Sequence, residues 1–215
     1  MLNISPALLV SRVITLLIAF TCHEFSHALV AVLLGDNTPK RDGRLTLNPL
    51  KHLDLWGCVL LILVGFGYAK PVRVNQYAVT RKTKAGMVLV AAAGPLANLL
   101  LAVIGASLLR SGLLPNIQPF GVSWLPRPAY FLNQFIWTNL SLLVFNLIPL
   151  YPLDGEKVFG YFIPGTFRKT WQTIQSHGSQ ILMICFFFLP YARIYFARDV
   201  VSNATYALYR LLLGG

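Results

Sequence analysis

Charge is scarce in this sequence, and negative charge scarcest. Charged residues make up 12% of the 215 positions, about half the share of an ordinary soluble domain. Seven acidic residues face eighteen Lys and Arg, for a net charge of +11. Hydrophobic residues reach 56%, and the mean hydropathy is +0.63. So little polar surface excludes a soluble domain and places the chain in a lipid bilayer. There are three cysteines, Cys22, Cys58 and Cys185, all in apolar stretches. Their number and setting exclude a disulfide framework and leave the redox compartment open. Internal repeats and low-complexity tracts are absent. No basic helix or RNA-reading motif accompanies the excess of positive charge, which argues against nucleic acid as a partner. Lys and Arg instead sit in loops beside apolar spans, where they fix orientation and meet anionic headgroups.

The expected fold is an all-α polytopic membrane protein, one membrane-embedded domain over residues 1–215. A first helix is expected over 6–34, opened by Pro6 and closed by Gly35. It covers roughly 40 Å, enough to span with tilt. It is also too long for a signal-peptide core. Further spans are expected at 85–109, 129–150 and 178–196, making four clear transmembrane helices. Residues 36–84 read as a loop or re-entrant region. Within it, Leu55–Tyr68 is short, apolar and glycine-bearing. Arg44–Asn48 and Pro71–Asn75 alternate and read as small β-strands, the second able to pair with an extended peptide. Residues 110–128 form a loop with four prolines, and 197–215 an amphipathic tail at the interface.

His23-Glu24-Phe25-Ser26-His27 has the form H-E-x-x-H. Positions i and i+4 share a helix face, so both imidazoles can reach one ion. Glu24 is spared as a ligand and is free to take a proton from water. Elsewhere such a motif is often a solvated helix turn. Inside an apolar span that reading is costly, because unpaired ionisable groups in a bilayer mark function. A zinc site with two His takes a third protein ligand and keeps a place for water. Asp36, Asp42, Asp54 and Asp199 lie in or next to polar loops, which leaves Asp154 and Glu156. Asp154 ends an apolar span and also reads as a helix N-cap. Glu156 beside Lys157 reads as a solvated pair. His52 reads as a loop hydrogen bonder and His177 as interfacial.

The H-E-x-x-H, Gly94-Pro95-Leu96-Ala97-Asn98 and the stretch from Asn146 to Gly155 together resemble the site-2 protease family of intramembrane zinc metalloproteases. Asn48–Asp54 and Gly67–Pro71 are similar to its compact prokaryotic branch without a PDZ domain. The resemblance covers residues 23–155. It implies that His23, His27 and Asp154 hold one zinc ion per chain and that Glu24 is the catalytic base. It also implies that Asn146, and less specifically Asn98, serve substrate or transition state. The implied reaction is hydrolysis of peptide bonds in or near a transmembrane helix of a membrane-protein substrate. The implied location is the prokaryotic inner membrane. A non-catalytic metal or haem carrier is the rival reading, and Glu24 argues against it, since a carrier needs no base. A catalytically idle relative is argued against by the complete motif. The residues carry no signal of oligomeric state.

Topology follows from the third ligand. If 55–68 crossed fully, Asp154 would emerge on the face opposite His23 and His27, against the roughly 2 Å a ligand needs. A dip and return puts it on their side. Under that arrangement twelve of the eighteen Lys and Arg fall on the histidine side, nine from Lys40 to Lys84 and then Lys157, Arg168 and Lys169. That side is therefore expected to be cytoplasmic.

Overall fold

The computed structural model describes residues 5–52, 70–114 and 125–214, and every regular element among them is helical. Helix α1 runs Pro6–Leu33. The Ser5 hydroxyl caps its start by accepting from the Leu8 amide at 3.3 Å. Gly35, at φ +98°, turns the chain away just past its end. Short helix α2 (Thr38–Arg41) follows, then a 3₁₀ turn at Pro49–Lys51. Helix α3 (Gln76–Lys82) is capped by Asn75 and leads into α4 (Gly86–Arg110). Helix α5 spans Pro128–Asn146 and α6 Asp154–Gly160. Then come α7 (Arg168–Ser176), α8 (Gly178–Met183) and α9 (Phe196–Leu213).

Helix α4 lies at the centre and touches α1, α3, α5, α6 and α9. Its buried ridge is Gly86, Val90, Gly94, Asn98, Ala102 and Ala106, every fourth residue. The buried ridge of α1 has the same period: Ser11, Thr15, Ala19, His23, His27 and Ala31. Rows at i±4 are the ridges by which helices interlock. In lipid, hydrophobic burial does not drive helices together, so close approach of small residues does. Ala102, Ala106, Ile136, Leu140 and Leu143 form the largest cluster between α4 and α5, and Leu208 and Leu212 of α9 pack against it.

Beyond α1, a side-chain-laced loop forms under the helix end. Asp36 is 1% exposed. Its carboxylate accepts from the Thr38 amide at 2.8 Å and the Asn75 amide at 2.6 Å. Burial alone would raise its pKa, but these hydrogen bonds outweigh burial and hold it below the ordinary carboxylate value. The Arg44 guanidinium donates to the Lys51 and Lys70 carbonyls, and the Lys70 amide to the His52 carbonyl.

Two parts of the expected fold are corrected. First, among the described residues only α1 and α4 are long and apolar enough to cross a membrane, or three spans if the bent pair Gly178–Ala192 and Phe196–Leu213 counts as one. The expected span 129–150 ends as a helix at Asn146, and Asn133, Gln134 and Asn139 dilute its apolar run. The expected span 178–196 is broken: α8 passes into a π-helical turn at Ile184–Phe188 and a 3₁₀ turn at Leu189–Ala192. It then bends by 105° into α9. Second, no strand exists among the described residues. At 44–48 and 71–75 the backbone donors go elsewhere: the Asn48 amide meets the Thr46 hydroxyl, the Val72 amide Glu24 and the Asn75 amide Asp36. These donors are withdrawn from any ladder. The segment 55–68, re-entrant or spanning, lies outside the described residues.

Candidate metal centre

Each side chain of the centre is delivered by a different local device. His23 and His27 stand one turn apart on the α1 ridge that faces α4. Their rings lie edge to face, 4.6 Å between centroids. Asp154 arrives from α6, after α4 and α5 have intervened. It is the first helical residue of α6, and Leu153 occupies the N-cap position. The carboxylate is therefore not spent as a cap, against one reading of the sequence. Its placement depends on the turn after α5. There the Gln175 side chain accepts from the Tyr151 amide at 2.7 Å and donates to the Pro149 carbonyl at 3.0 Å. Gly155 lets the turn close against the Leu147 and Ile148 carbonyls, where a Cβ would collide.

Asp154 Oδ2 lies 3.2 Å from Nε2 of both histidines, and the two Nε2 atoms are 3.0 Å apart. The other ring nitrogens are taken. His23 Nδ1 lies 2.7 Å from Asn98 Oδ1, and His27 Nδ1 lies 2.6 Å from the Val90 carbonyl. Both partners can only accept, so both Nδ1 atoms carry hydrogen, and in the neutral rings Nε2 is the lone pair left for an ion. Asp154 Oδ2 is buried without a hydrogen-bond donor. With both rings neutral, three acceptor atoms converge on one point, an arrangement that a cation satisfies. A tetrahedral zinc with ligand bonds of about 2.0 Å spaces its ligand atoms about 3.3 Å apart, which this triangle matches.

Gly94 shapes the space around these atoms. A Cβ there would fall 2.6 Å from His23 Nε2 and closer still to His27 Nε2. The α4 backbone thus passes directly beside the ligand atoms. Glu24, next to His23 on α1, is 8% exposed. Its Oε2 accepts from the Val72 amide at 3.0 Å.

The remaining sequence candidates lie elsewhere. Asn98 is wholly buried and meets His23 rather than an open face. Asn146 is partly buried and donates to the Leu142 carbonyl of its own helix at 3.0 Å. His52 is buried in the loop, its Nε2 donating to the Thr46 carbonyl at 2.8 Å. His177 is exposed, its Nδ1 2.9 Å from the Thr173 carbonyl. His52, His177 and Glu156 are outside the cluster that can hold a metal. Sequence reasoning missed Asn139, the Val72 amide and the Val90 carbonyl. Asn139 alone left a trace, as a polar residue inside an apolar helix.

Apolar helices around a buried His-His-carboxylate cluster define a membrane metalloprotein. The comparisons narrow that class: the model of peptidase family M50 matches residues 11–120 and 121–190, and the chain belongs to this family. It is 43% identical over 178 residues to the provisionally named zinc metalloprotease YwhC of Bacillus subtilis (strain 168), covering 81% of this chain and 78% of that one. It is 35% identical over 149 residues to the provisionally named zinc metalloprotease Rip2 of Mycolicibacterium smegmatis, covering 65% of this chain and 52% of the relative. No solved structure matches. The protein is an integral-membrane zinc metalloprotease of the site-2 type.

Proposed function

We propose that His23, His27 and Asp154 hold one zinc ion, and that the enzyme hydrolyses peptide bonds in or near transmembrane segments of membrane-protein substrates. The observation that carries this reading is the triangle of three potential ligand atoms, His23 Nε2, His27 Nε2 and Asp154 Oδ2, at 3.0–3.2 Å. With both imidazoles neutral, it calls for a cation at its centre. Bound there, zinc supplies Lewis acidity toward a scissile carbonyl and a lowered pKa for water.

The chain's own residues do the rest. The Val72 amide fixes the plane of the Glu24 carboxylate through Oε2. Glu24 takes the proton of the attacking water and returns it to the leaving amine. Asn98 and the Val90 carbonyl hold the two imidazoles in the metal-binding tautomer. Asn146 ends α5 at the approach to Asp154, where a small rotation would free its amide for substrate. A substrate helix must unwind before cleavage, because helical carbonyls are already hydrogen-bonded. The basic loops between Lys40 and Lys84 support a site that opens toward the cytoplasmic face of a prokaryotic inner membrane.

The test uses purified full-length protein, a zinc assay and a panel of single-span substrates. Glu24→Gln should retain one zinc per chain and lose cleavage by a factor of about 100 or more. Cleavage at the wild-type rate would remove Glu24 from the mechanism, and absence of zinc from the wild-type protein would remove the centre.

A further inference from the structure

Behind His23 the contact with Asn98 continues into a chain of side-chain amides, and its second member, Asn139, has no part in the chemistry above. His23 Nδ1 meets Asn98 Oδ1 at 2.7 Å. Asn98 Nδ2 meets Asn139 Oδ1 at 2.9 Å and the Ala19 carbonyl at 3.4 Å. Asn139 Nδ2 meets the Phe135 carbonyl, one turn back on α5, at 2.9 Å. Both asparagines are 0% exposed, so water does not reach them to repair a mismatched partner.

A side-chain amide has a donor end and an acceptor end, and its neighbours decide which points where. The Phe135 carbonyl only accepts, so Asn139 must turn Nδ2 toward it and Oδ1 toward Asn98. Asn98 must then turn Nδ2 toward Asn139 and Oδ1 toward His23. His23 must answer with a proton on Nδ1. A backbone carbonyl on α5 thus sets the direction of every bond in the row, across α4 and into α1. The Ala19 carbonyl favours the same sense through a longer contact.

We propose that Asn139 is a positioning residue for the metal centre: by orienting Asn98 it keeps the proton of His23 on Nδ1 and leaves Nε2 bare toward the ion. This rests on the zinc reading above. Asn139 touches neither metal nor substrate, so its effect reaches the centre only through Asn98. Asn139→Leu leaves Asn98 with only its weaker guide at Ala19. A flipped Asn98 would offer Nδ2 to His23 and drive the proton to Nε2, where the ion should bind. Asn139→Asp, neutral at this burial, keeps an acceptor for Asn98 and a hydroxyl for Phe135, and restores the direction.

The experiment measures zinc affinity of the detergent-purified full chain by chelator competition, and ¹⁵N shifts of the His23 ring in the metal-free protein. For Asn139→Leu we expect affinity to fall about 10–100-fold. The ring signals should move from a pure Nδ1–H pattern to a mixture, at near-unchanged helicity. Asn139→Asp should recover most of the affinity and the Nδ1–H pattern. Asn139→Ala answers the same question if the leucine variant does not fold. Wild-type affinity and an unchanged tautomer in the leucine or alanine variant would reduce Asn139 to a packing residue. His23→Ala separates the two claims. If it too leaves zinc affinity intact, the metal reading fails. If it abolishes binding while the Asn139 variants bind normally, only the relay fails.

Discussion

Gly94 shows how strictly one residue can be dictated by a site it does not chemically join. Its missing side chain is the room in which His23 and His27 present Nε2. Gly94→Ala should therefore destabilise the protein by about 1–3 kcal/mol through overpacking. It should also abolish stoichiometric zinc binding, measured by metal analysis after gel filtration. Zinc at wild-type occupancy would show that α4 can retreat, and that the contact is incidental. At this scale the sequence was an uneven guide. Histidines one turn apart with a glutamate between them carry a spacing, so that half of the centre is readable. The Val72 amide and the Val90 carbonyl belong to the backbone and have no letter of their own. Asn139 has a letter but no spacing, since Asn98 lies 41 positions away and only the fold joins them.

Among elements, the loop beneath α1 owes its shape to one buried carboxylate. Asp36→Ala would strand the Thr38 and Asn75 amides, a loss of about 2–4 kcal/mol for two charge-assisted bonds. The folded-state pKa of Asp36 lies below its ordinary value. Its contribution is therefore complete above the ordinary carboxylate range and fades as pH falls through the lowered value. Melting temperatures of wild type and variant should lie furthest apart at about pH 7 and draw together as pH falls below the ordinary carboxylate range. A gap that stays constant across this range would mean that the charge contributes nothing. The same loop explains why alternation misled the strand assignment. A period of two records which residues face inward, whereas a strand also requires a neighbouring backbone. Here Glu24 takes the Val72 amide and Asp36 the Asn75 amide instead. Apolar length likewise misled at 178–196, where Pro190 and the left-handed Arg193 precede a sharp bend. The two long helices were legible because Pro6, Gly35 and unbroken apolar runs mark them.

For the whole molecule, the relevant asymmetry is one of charge across the bilayer. Nine of the eighteen cationic residues, Lys40 to Lys84, lie between α1 and α4, beside the side on which the centre is proposed to open. A membrane-impermeant chelator should accordingly inactivate the enzyme in inside-out vesicles and spare it in right-side-out vesicles, with cleavage of a reconstituted substrate as the readout. Inactivation from the outer face alone would reverse the assigned orientation. Sequence length and hydropathy identified the membrane as solvent. They did not show that α4 would be the hub, because that depends on which small-residue ridges meet.

The turn that Gln175 grips carries a structural consequence beyond its local geometry. An ion shared between α1 and Asp154 would act as a clasp between the opening helix and a segment most of the chain away. Stripping it would remove that long-range cross-link, so amide exchange should quicken in the turn and in α7 before it does in the packed helices.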